Sequence, residues 1–451
     1  MKIQLNKHPI LRDIANGLVL TRTIPADADA VAEFNSHIHS DDAFDKPDQR
    51  VAAWTRDLLA RPHPTFQAGD FTLVVESATG KIVSAMNLIP QTWAYEGIPF
   101  SVGRPELVGT LPEFRNRGLV RLQFEEIHQW SHAYGNIVQG ITGIPFYYRL
   151  FGYEMGMELG GGRMGFEANL PRLKDGENEP FTFRLAAEAD IPFLMEVYAH
   201  AGSRQLITCV REPEIWRYTL VGESENNVNR LEVRIIQRVG SGEPVGYITH
   251  SPLVRDGGLG AFHYELKPGV SWLEVSPSVL RCLWQTAQGF MERDGQPSHP
   301  TNFAFWCGSE HPCYDILRSR LPSIRDPYAW YLRVPDLPRF LHLIAPALER
   351  HIAESSIVGF SGEAKISFYR SGLRLVLEKG KLVNIESWQP RHEDQGSASF
   401  PDLTFLQLVF GYRSFDELEQ SYADCMYKSD ETRVLMNTLF PKRSSSVMFV
   451  N

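Results

Sequence analysis

The sequence predicts an α/β protein in which mixed sheets follow one another along the chain, and three observations support this. Residues 106–142 have the order strand, basic turn, amphipathic helix, strand. A strand and a helix begin again near Phe181, after the polar stretch 170–180. A helix and a group of short alternating strands follow Pro335. We therefore expect α/β units with an α+β unit at the end of the chain.

Length and composition favour a multidomain globular protein. The chain has 451 residues, and roughly three domains follow from the usual ~150 residues each. Its hydrophobic share of 43% and charged share of 22% are ordinary for a globular protein. The net charge of −9 argues against a general affinity for nucleic acid. Because no apolar run approaches the ~20 residues of a membrane helix and residues 1–20 lack a signal-peptide core, we expect no membrane partner and a cytoplasmic location.

The cysteines and histidines do not predict a metal site. The five cysteines form no C-x-x-C, and His311 alone does not complete a site with Cys307 and Cys313. His128 and His132 are four residues apart on a predicted helix, without a third ligand nearby. We expect free thiols in a reducing compartment and no bound metal.

The elements before Glu106 follow in a regular order. The sequence predicts a strand at 16–23, helices at 26–38 and 51–60, and strands at 70–76, 82–90 and 100–104. The loop between the two helices contains Asp41, Asp42, Asp45 and Asp48. These carboxylates predict either an acidic lip that attracts an amine or an ordinary solvated loop.

The basic turn after the strand 106–111 predicts an anion site. A helix N-terminus offers unpaired N–H groups and a partial positive charge, and a glycine lets a phosphate approach the backbone. Arg115 and Arg117 add forked donors beside Gly118. Because Gly118 is followed by Leu119 rather than Lys-Ser/Thr, the turn is not a P-loop. The expected ligand is a pyrophosphate over residues 115–120.

The order V-x-x-x-P-E-F-R-x-x-G, helix, strand and Y-x-x-x-G-Y resembles the GNAT superfamily of N-acetyltransferases. The resemblance implies that the backbone of Leu107, Val108 and Thr110 pairs with the pantetheine of acetyl-CoA. It implies that the turn holds the pyrophosphate, through Arg115, Asn116, Arg117, Gly118, Leu119 and Val120. Val120 departs from the family's glycine or alanine. Tyr148, four residues before Gly152, is implied as the general acid that protonates the leaving thiolate.

The ending Y-R-L-F-G-Y at 148–153 resembles the Eis subgroup, and so does the C-terminal third with G-Y-R-S-x-x-E-L and L-F-P. This implies a catalytic GNAT domain at 1–165, a second, degenerate GNAT-like domain at 181–335 and a sterol-carrier-like domain at 336–451. A helix is predicted at 278–293, with Ser276 as N-cap. The R-x-x-G match at Arg255 runs into no helix start, so we expect no coenzyme site in the second domain.

The resemblance implies an acetyl-CoA-dependent N-acetyltransferase in which a primary amine attacks the thioester directly. Its general base is either the terminal carboxylate of Asn451 or Glu106 acting through water. The alternative function is a non-catalytic protein that binds acyl-CoA and an apolar ligand. Eis enzymes form symmetric hexamers, so a homo-oligomer is implied. The acceptor stays open among polyamines, lysine side chains and small metabolites.

Overall fold

The computed structural model describes residues 1–41, 44–296 and 299–447. Its strands, in chain order, are β1 (Ile10–Ile14), β2 (Leu18–Arg22), β3 (Phe71–Glu76), β4 (Ile82–Tyr95), β5 (Ile98–Thr110), β6 (Val138–Ile141), β7 (Glu154–Leu159), β8 (Gly162–Phe166), β9 (Phe181–Leu185), β10 (Ile207–Cys209), β11 (Glu232–Arg238), β12 (Pro244–His250), β13 (Gly258–Leu266), β14 (Asn302–Phe305), β15 (Ser323–Arg325), β16 (Tyr328–Arg333), β17 (Gly362–Ser367), β18 (Gly372–Glu378), β19 (Lys381–Trp388), β20 (Ala398–Ser399) and β21 (Met426–Tyr427).

The helices lie between these strands. They are α1 (Ala28–Ile38), α2 (Gln49–Ala60), α3 (Leu119–Ala133), α4 (Ile191–Gly202), α5 (Pro213–Arg217), α6 (Trp272–Arg293), α7 (Pro312–Ile316), α8 (Leu337–Ala353), α9 (Phe405–Val409), α10 (Phe415–Ser421) and α11 (Asp430–Leu439). Helix α6 begins earlier than predicted. Its N-cap is Ser271, whose hydroxyl accepts the Glu274 N–H at 3.4 Å, so Ser276 is not the cap.

Three sheets organise the chain. The first has the order β1-β2-β3-β4-β5-β6-β16-β7, with β10 beside β4; the second is β15-β8-β14-β13-β12-β11-β9; the third is β19-β18-β17-β20-β21. Parallel and antiparallel pairs occur in all three. The predicted class, an α/β chain of successive mixed sheets, is confirmed.

Helices cover both faces of the first sheet. On one face α1 and α2 bury Val31, Phe34 and Leu58 against β2–β5. On the other, α3 buries Phe124 and Ile127 in a separate cluster. These apolar positions recur at helical spacing, which is why the sequence predicted the helices correctly. Helix α2 starts at 49 because the carboxylate of Asp48 accepts two of its free N–H groups.

A bulge and a divergence distort the centre of the first sheet. The β4–β5 register shifts between Ala85 and Asn87, so that Leu107 and Val108 of β5 together face one residue of β4. Leu107 has a φ of 51°. In the described part of the chain, β5 and β6 pair in parallel at Val102 and Gly103 and then separate. The end of β5 therefore leaves backbone groups on one side of the strand available to a ligand.

The chain exchanges strands between the first two sheets. Strand β16 lies in the first sheet, between β6 and β7, and β8 lies in the second, between β14 and β15. Neither position follows the predicted ranges 1–165 and 181–335, because backbone pairing at a distance leaves no local sequence signal. The division of the chain into three domains stays a prediction.

The third sheet unit shares a core with the first sheet. The apolar face of α8, with Phe340, Ile344 and Leu348, packs in one cluster with Trp93 and Phe100 of the β4–β5 hairpin. Because this contact is large and apolar, the end of the chain and the first sheet are expected to unfold together.

The same junction carries polar contacts. The carboxylate of Glu96, in the β4–β5 turn, accepts hydrogen bonds from Arg350 at 3.0 Å and from Arg443, and it lies 2.9 Å from the His351 ring. These side chains come from α8 and from the tail. They fix the orientation of the apolar contact beside them.

Gly162 at the strand exchange should not tolerate a side chain. A Cβ there would collide with the carbonyl oxygen of Phe305, and its φ of 150° disfavours other residues. We expect Gly162→Ala to lower the free energy of unfolding by about 2–4 kcal/mol, measured by urea denaturation. Gly69→Ala is the matched control, since a Cβ at Gly69 meets nothing within 4 Å. Equal stability of the two variants would contradict the strand exchange.

Candidate functional site

A cavity of about 570 Å³ opens where β5 leaves β6. It lies between the end of α1, the end of β5, the start of α3 and the turn 147–151. Its described lining residues are Ile38, His39, Val108, Gly109, Thr110, Phe114, Arg115, Asn116, Arg117, Gly118, Leu119, Val120, Arg121, Ile144, Tyr147, Tyr148, Leu150 and Phe151. Most of the residues implied as coenzyme contacts thus surround one cavity.

The turn before α3 has the geometry of an anion site. Gly118 is the N-cap of α3 with a φ of 76°, and a Cβ there would meet nothing within 4 Å. Asn116, two residues earlier, also has a positive φ of 60°. These left-handed residues turn the chain so that α3 begins at the cavity wall, with the N–H groups of its first turn free to bind an anion.

The arginines of the turn are partly held in place. Arg115 donates from Nε to the carbonyl of Thr110 at 3.4 Å, and Arg117 donates to the carbonyl of Glu113 at 2.9 Å. The Arg117 guanidinium also lies 4.7 Å from the centre of the Phe114 ring. Such contacts reduce the entropy lost when the guanidinium groups bind a ligand.

The charge of the cavity is one-sided. Its described lining contains three arginines, at 115, 117 and 121, and no carboxylate. The nearby Glu113 lies 3.0 Å from Lys81. Because the whole chain is acidic, this positive cavity contrasts with the overall charge, and a polyanionic ligand would be attracted to it.

The strand side of the cavity supplies backbone groups. Val108, Gly109 and Thr110 line it. Leu107 contributes differently: its side chain is buried against α1 and α2, and its positive φ creates the bulge that redirects the backbone beside the cavity. Sparsely populated backbone conformations of this kind concentrate at functional sites.

Tyr148 lies in the cavity wall with its ring buried among aromatic residues. Its ring centre is 5.4 Å from those of Tyr147 and Tyr331 and 6.0 Å from that of Phe124. Burial raises the pKa of Tyr148, and Glu106 raises it further. A Cβ at Gly143 would lie 3.3 Å from the hydroxyl, so the glycine leaves space beside it. The hydroxyl is therefore held protonated in the wall of the cavity.

Glu106 is largely but not fully buried, beside the fully buried guanidinium of Arg104. Arg104 donates to its carboxylate, and the Arg104 guanidinium lies 4.7 Å from the centre of the Trp330 ring. Burial raises the pKa of Glu106, and Arg104 opposes that shift. Glu106 is not among the residues that line the cavity, but its charge acts on Tyr148. Glu106 therefore lies outside the described lining of the cavity, near enough for its charge to act on Tyr148.

The other predicted base, Asn451, lies outside the described residues. The described part of the tail pairs with β10: the Leu206 N–H donates to the Ser444 carbonyl at 2.8 Å, and Ser446 donates to Ile207 at 2.9 Å. Val447 is buried in the core shared with the first sheet.

Sequence reasoning missed several residues of the cavity. His39 at the end of α1, Arg121 in the first turn of α3 and Tyr147 all line it. Tyr331, from the exchanged strand β16, packs against Tyr148. Arg121 could have been found, because it lies one helical turn from Gly118. His39 and Tyr331 could not, since they are brought in by long-range packing.

The described residues contain neither a candidate metal cluster nor a candidate membrane-spanning helix. Within the described ranges, no group of three or more His, Cys, Asp or Glu side chains could hold a metal ion. Across the same ranges, no helix has the length and apolar character that crossing a membrane requires.

Residues 24–156 match the family model of the acetyltransferase (GNAT) domain. The match covers the helices α1, α2 and α3, the basic turn and Tyr148, and so it includes the described lining of the cavity. Among curated proteins, no sequence matches the chain.

Solved structures resemble the chain over nearly its whole length. A GCN5-related N-acetyltransferase from Kribbella flavida has a TM-score of 0.60 at 17% identity, covering 95% of this chain and 97% of that one. A GCN5-related N-acetyltransferase from Anabaena variabilis has a TM-score of 0.63 at 14% identity, covering 95% and 99%.

Eis1 from Mycobacterium abscessus has a TM-score of 0.53 at 12% identity, covering 88% of this chain and 94% of that one. At these identities the likeness shows the fold. Residues 24–156 therefore match the acetyltransferase (GNAT) domain, and the chain as a whole has the same fold as these solved structures.

Proposed function

We propose that the chain is an acetyl-CoA-dependent N-acetyltransferase that acetylates a primary amine by direct attack. The observation that carries this proposal is the cavity beside the diverging end of β5. It combines three arginines, the N-terminus of α3 and free strand backbone in one place. A coenzyme A molecule needs these features in this order, for its pyrophosphate and for the amides of its pantetheine arm.

Different residues of the cavity would bind different parts of the coenzyme. Arg115, Arg117 and the N–H groups from Gly118 to Val120 would hold the pyrophosphate. The backbone at Val108 and Thr110 would pair with the pantetheine, as a strand pairs with its neighbour. The bulge at Leu107 would aim one backbone N–H at the thioester carbonyl and stabilise the negative charge that develops there.

Tyr148 would act as general acid. The amine nitrogen attacks the carbonyl carbon, the new C–N bond forms and the C–S bond breaks. The departing thiolate takes the proton of the Tyr148 hydroxyl, which solvent then restores. A phenol with a raised pKa stays protonated until that moment.

The proton of the amine leaves to a base, and two candidates remain. Glu106 would take it through water; the terminal carboxylate of Asn451 would take it directly. Because the pKa of Glu106 is raised, the pH dependence of the reaction distinguishes the two candidate bases. If Glu106 is the base, kcat/KM rises with pH on the acidic side, with a midpoint above the ordinary pKa of glutamate, and Glu106→Gln removes that limb of the profile.

A matched variant tests the other candidate. Adding two glycines after Asn451 moves the terminal carboxylate without changing any internal residue. If only the extended variant loses the acidic limb, Asn451 is the base and the assignment to Glu106 is wrong. Thermal melting of each variant checks that it is folded.

The assay that tests the function measures free thiol released from acetyl-CoA with a panel of amines, including polyamines and lysine peptides. We expect thiol release that depends on both substrates and on Tyr148. Release without any amine would indicate hydrolysis instead, and no release with any amine would favour the alternative, a non-catalytic acyl-CoA-binding protein.

The assembly and the C-terminal unit belong to the same proposal. The resemblance to Eis supports a cytoplasmic homo-oligomer and a sterol-carrier-like unit at 336–451. Light scattering should give a mass that is a multiple of the 51.2 kDa chain. A mass equal to one chain would contradict the oligomer and leave the catalytic proposal unaffected.

A further inference from the structure

His39 is one of the polar side chains of the cavity that neither the motif nor the mechanism uses. It directly follows α1 and lines the cavity together with the end of β5. Its Nε2 atom is buried, and among the described residues it has no hydrogen-bond partner. A buried ring nitrogen without a partner is costly, and native proteins rarely leave one in place without a purpose.

The position of the ring is set by the absence of a side chain on β5. A Cβ on Gly109 would collide with Ile38 and would lie 3.5 Å from His39 Nε2. Glycine at this position thus allows the end of α1 to approach the strand. The imidazole consequently lies beside the stretch of β5 whose backbone is free to bind a ligand.

The protonation state of the ring suits a polar, uncharged partner. Burial lowers the pKa of His39 to about 4, and a hydrogen bond between the ring and the Leu107 backbone opposes this shift. At neutral pH the imidazole is uncharged and has one N–H donor and one lone-pair acceptor. The uncharged ring can therefore bind a polar, uncharged group without changing its own protonation state.

We propose that His39 Nε2 hydrogen-bonds to an amide of the pantetheine arm of the bound coenzyme. This inference rests on the proposed function. The pantetheine arm has two amides, each with one N–H and one C=O, so either tautomer of the imidazole finds a complementary partner. His39 then recognises the arm by its side chain, on the side of the cavity opposite the basic turn.

The test compares two ligands on the full chain by isothermal titration calorimetry. Coenzyme A has the pantetheine arm; adenosine 3′,5′-bisphosphate lacks both the arm and the pyrophosphate that carries it. The variants are His39→Leu, which removes the polar atoms, and His39→Gln, whose amide reaches about as far as Nε2 and can donate or accept. We expect His39→Leu to weaken coenzyme A binding by about three- to tenfold.

We also expect adenosine 3′,5′-bisphosphate to bind His39→Leu as tightly as it binds the wild type. His39→Gln should recover most of the coenzyme A affinity. Equal losses for both ligands would show that His39 only supports the structure and would overturn the inference. So would unchanged coenzyme A affinity in His39→Leu. Failure of the wild type to bind coenzyme A would contradict both the proposed function and this inference. The two results above would contradict this inference alone.

Discussion

Replacing Arg115 and Arg117 together by alanine is expected to weaken acetyl-CoA binding by on the order of a hundredfold. Both guanidinium groups line the cavity and would face the pyrophosphate. A hydrogen bond to a charged group contributes about 1.5–3 kcal/mol, and exposure to solvent reduces that value. The difference in affinity between the wild type and the double variant should shrink as salt is added, because salt screens the attraction between the two arginines and the pyrophosphate in the wild type.

Calorimetric titration at two salt concentrations measures this effect. Arg172→Ala with Arg318→Ala is the matched control, since both residues are exposed and lie outside the cavity lining. The control changes the net charge equally and should bind acetyl-CoA like the wild type. If both double variants lost affinity to the same extent, the turn would not be the anion site.

Replacing Tyr148 by phenylalanine is expected to lower kcat by about 10²- to 10³-fold while leaving acetyl-CoA affinity nearly unchanged. The buried ring keeps its packing against Phe124 and Tyr331, so the fold is preserved and the proton donor for the leaving thiolate is removed. A loss in kcat without a loss in binding is the mark of an interaction made in the transition state.

Steady-state thiol release, together with a binding titration, measures the two quantities separately. Tyr147→Phe is the control: this ring is adjacent, lines the same cavity and also carries a hydroxyl. It should retain kcat within a few-fold. A Tyr148→Phe enzyme as fast as the wild type would transfer the acid role to another group, and loss of activity in Tyr147→Phe instead would name that group.

Local sequence signals predicted much of the fold. The helices α1, α2 and α3 follow apolar periodicity, and the turn before α3 follows from Gly118, so both appear close to where the sequence placed them. The start of α6 was misplaced because Pro277 resembles a first-turn proline, whereas Ser271 caps the helix six residues earlier. Pro277 thus lies inside the 22-residue helix α6, and tertiary packing of the helix offsets the cost of an internal proline.

The pairing of strands that are distant in the chain could not be predicted from the sequence. Nothing in Tyr328–Arg333 indicates that it lies between β6 and β7, since its alternation fits any sheet equally well. This strand brings Tyr331 to the ring of Tyr148. One of the four described aromatic rings around Tyr148, the proposed acid, is thus supplied by a strand that is distant in the sequence, and local sequence patterns carry no information about such a contact.

The candidate site was predicted as far as its motif extended. The turn and Tyr148 lie at one cavity, as the resemblance implied, and their roles remain predictions. The bulge at Leu107 had no signal, because a leucine at positive φ is atypical and the register shift depends on β4. His39 had none either, since its place in the cavity depends on the missing side chain of Gly109.

The most direct test of the central claim is a calorimetric titration of the purified chain with acetyl-CoA. We expect saturable binding at one site per chain, which salt weakens and coenzyme A competes for. One site is expected because a single described cavity joins a basic turn, a helix N-terminus and open strand backbone. The absence of saturable binding by the folded protein would contradict the proposal that this cavity binds an acyl-CoA.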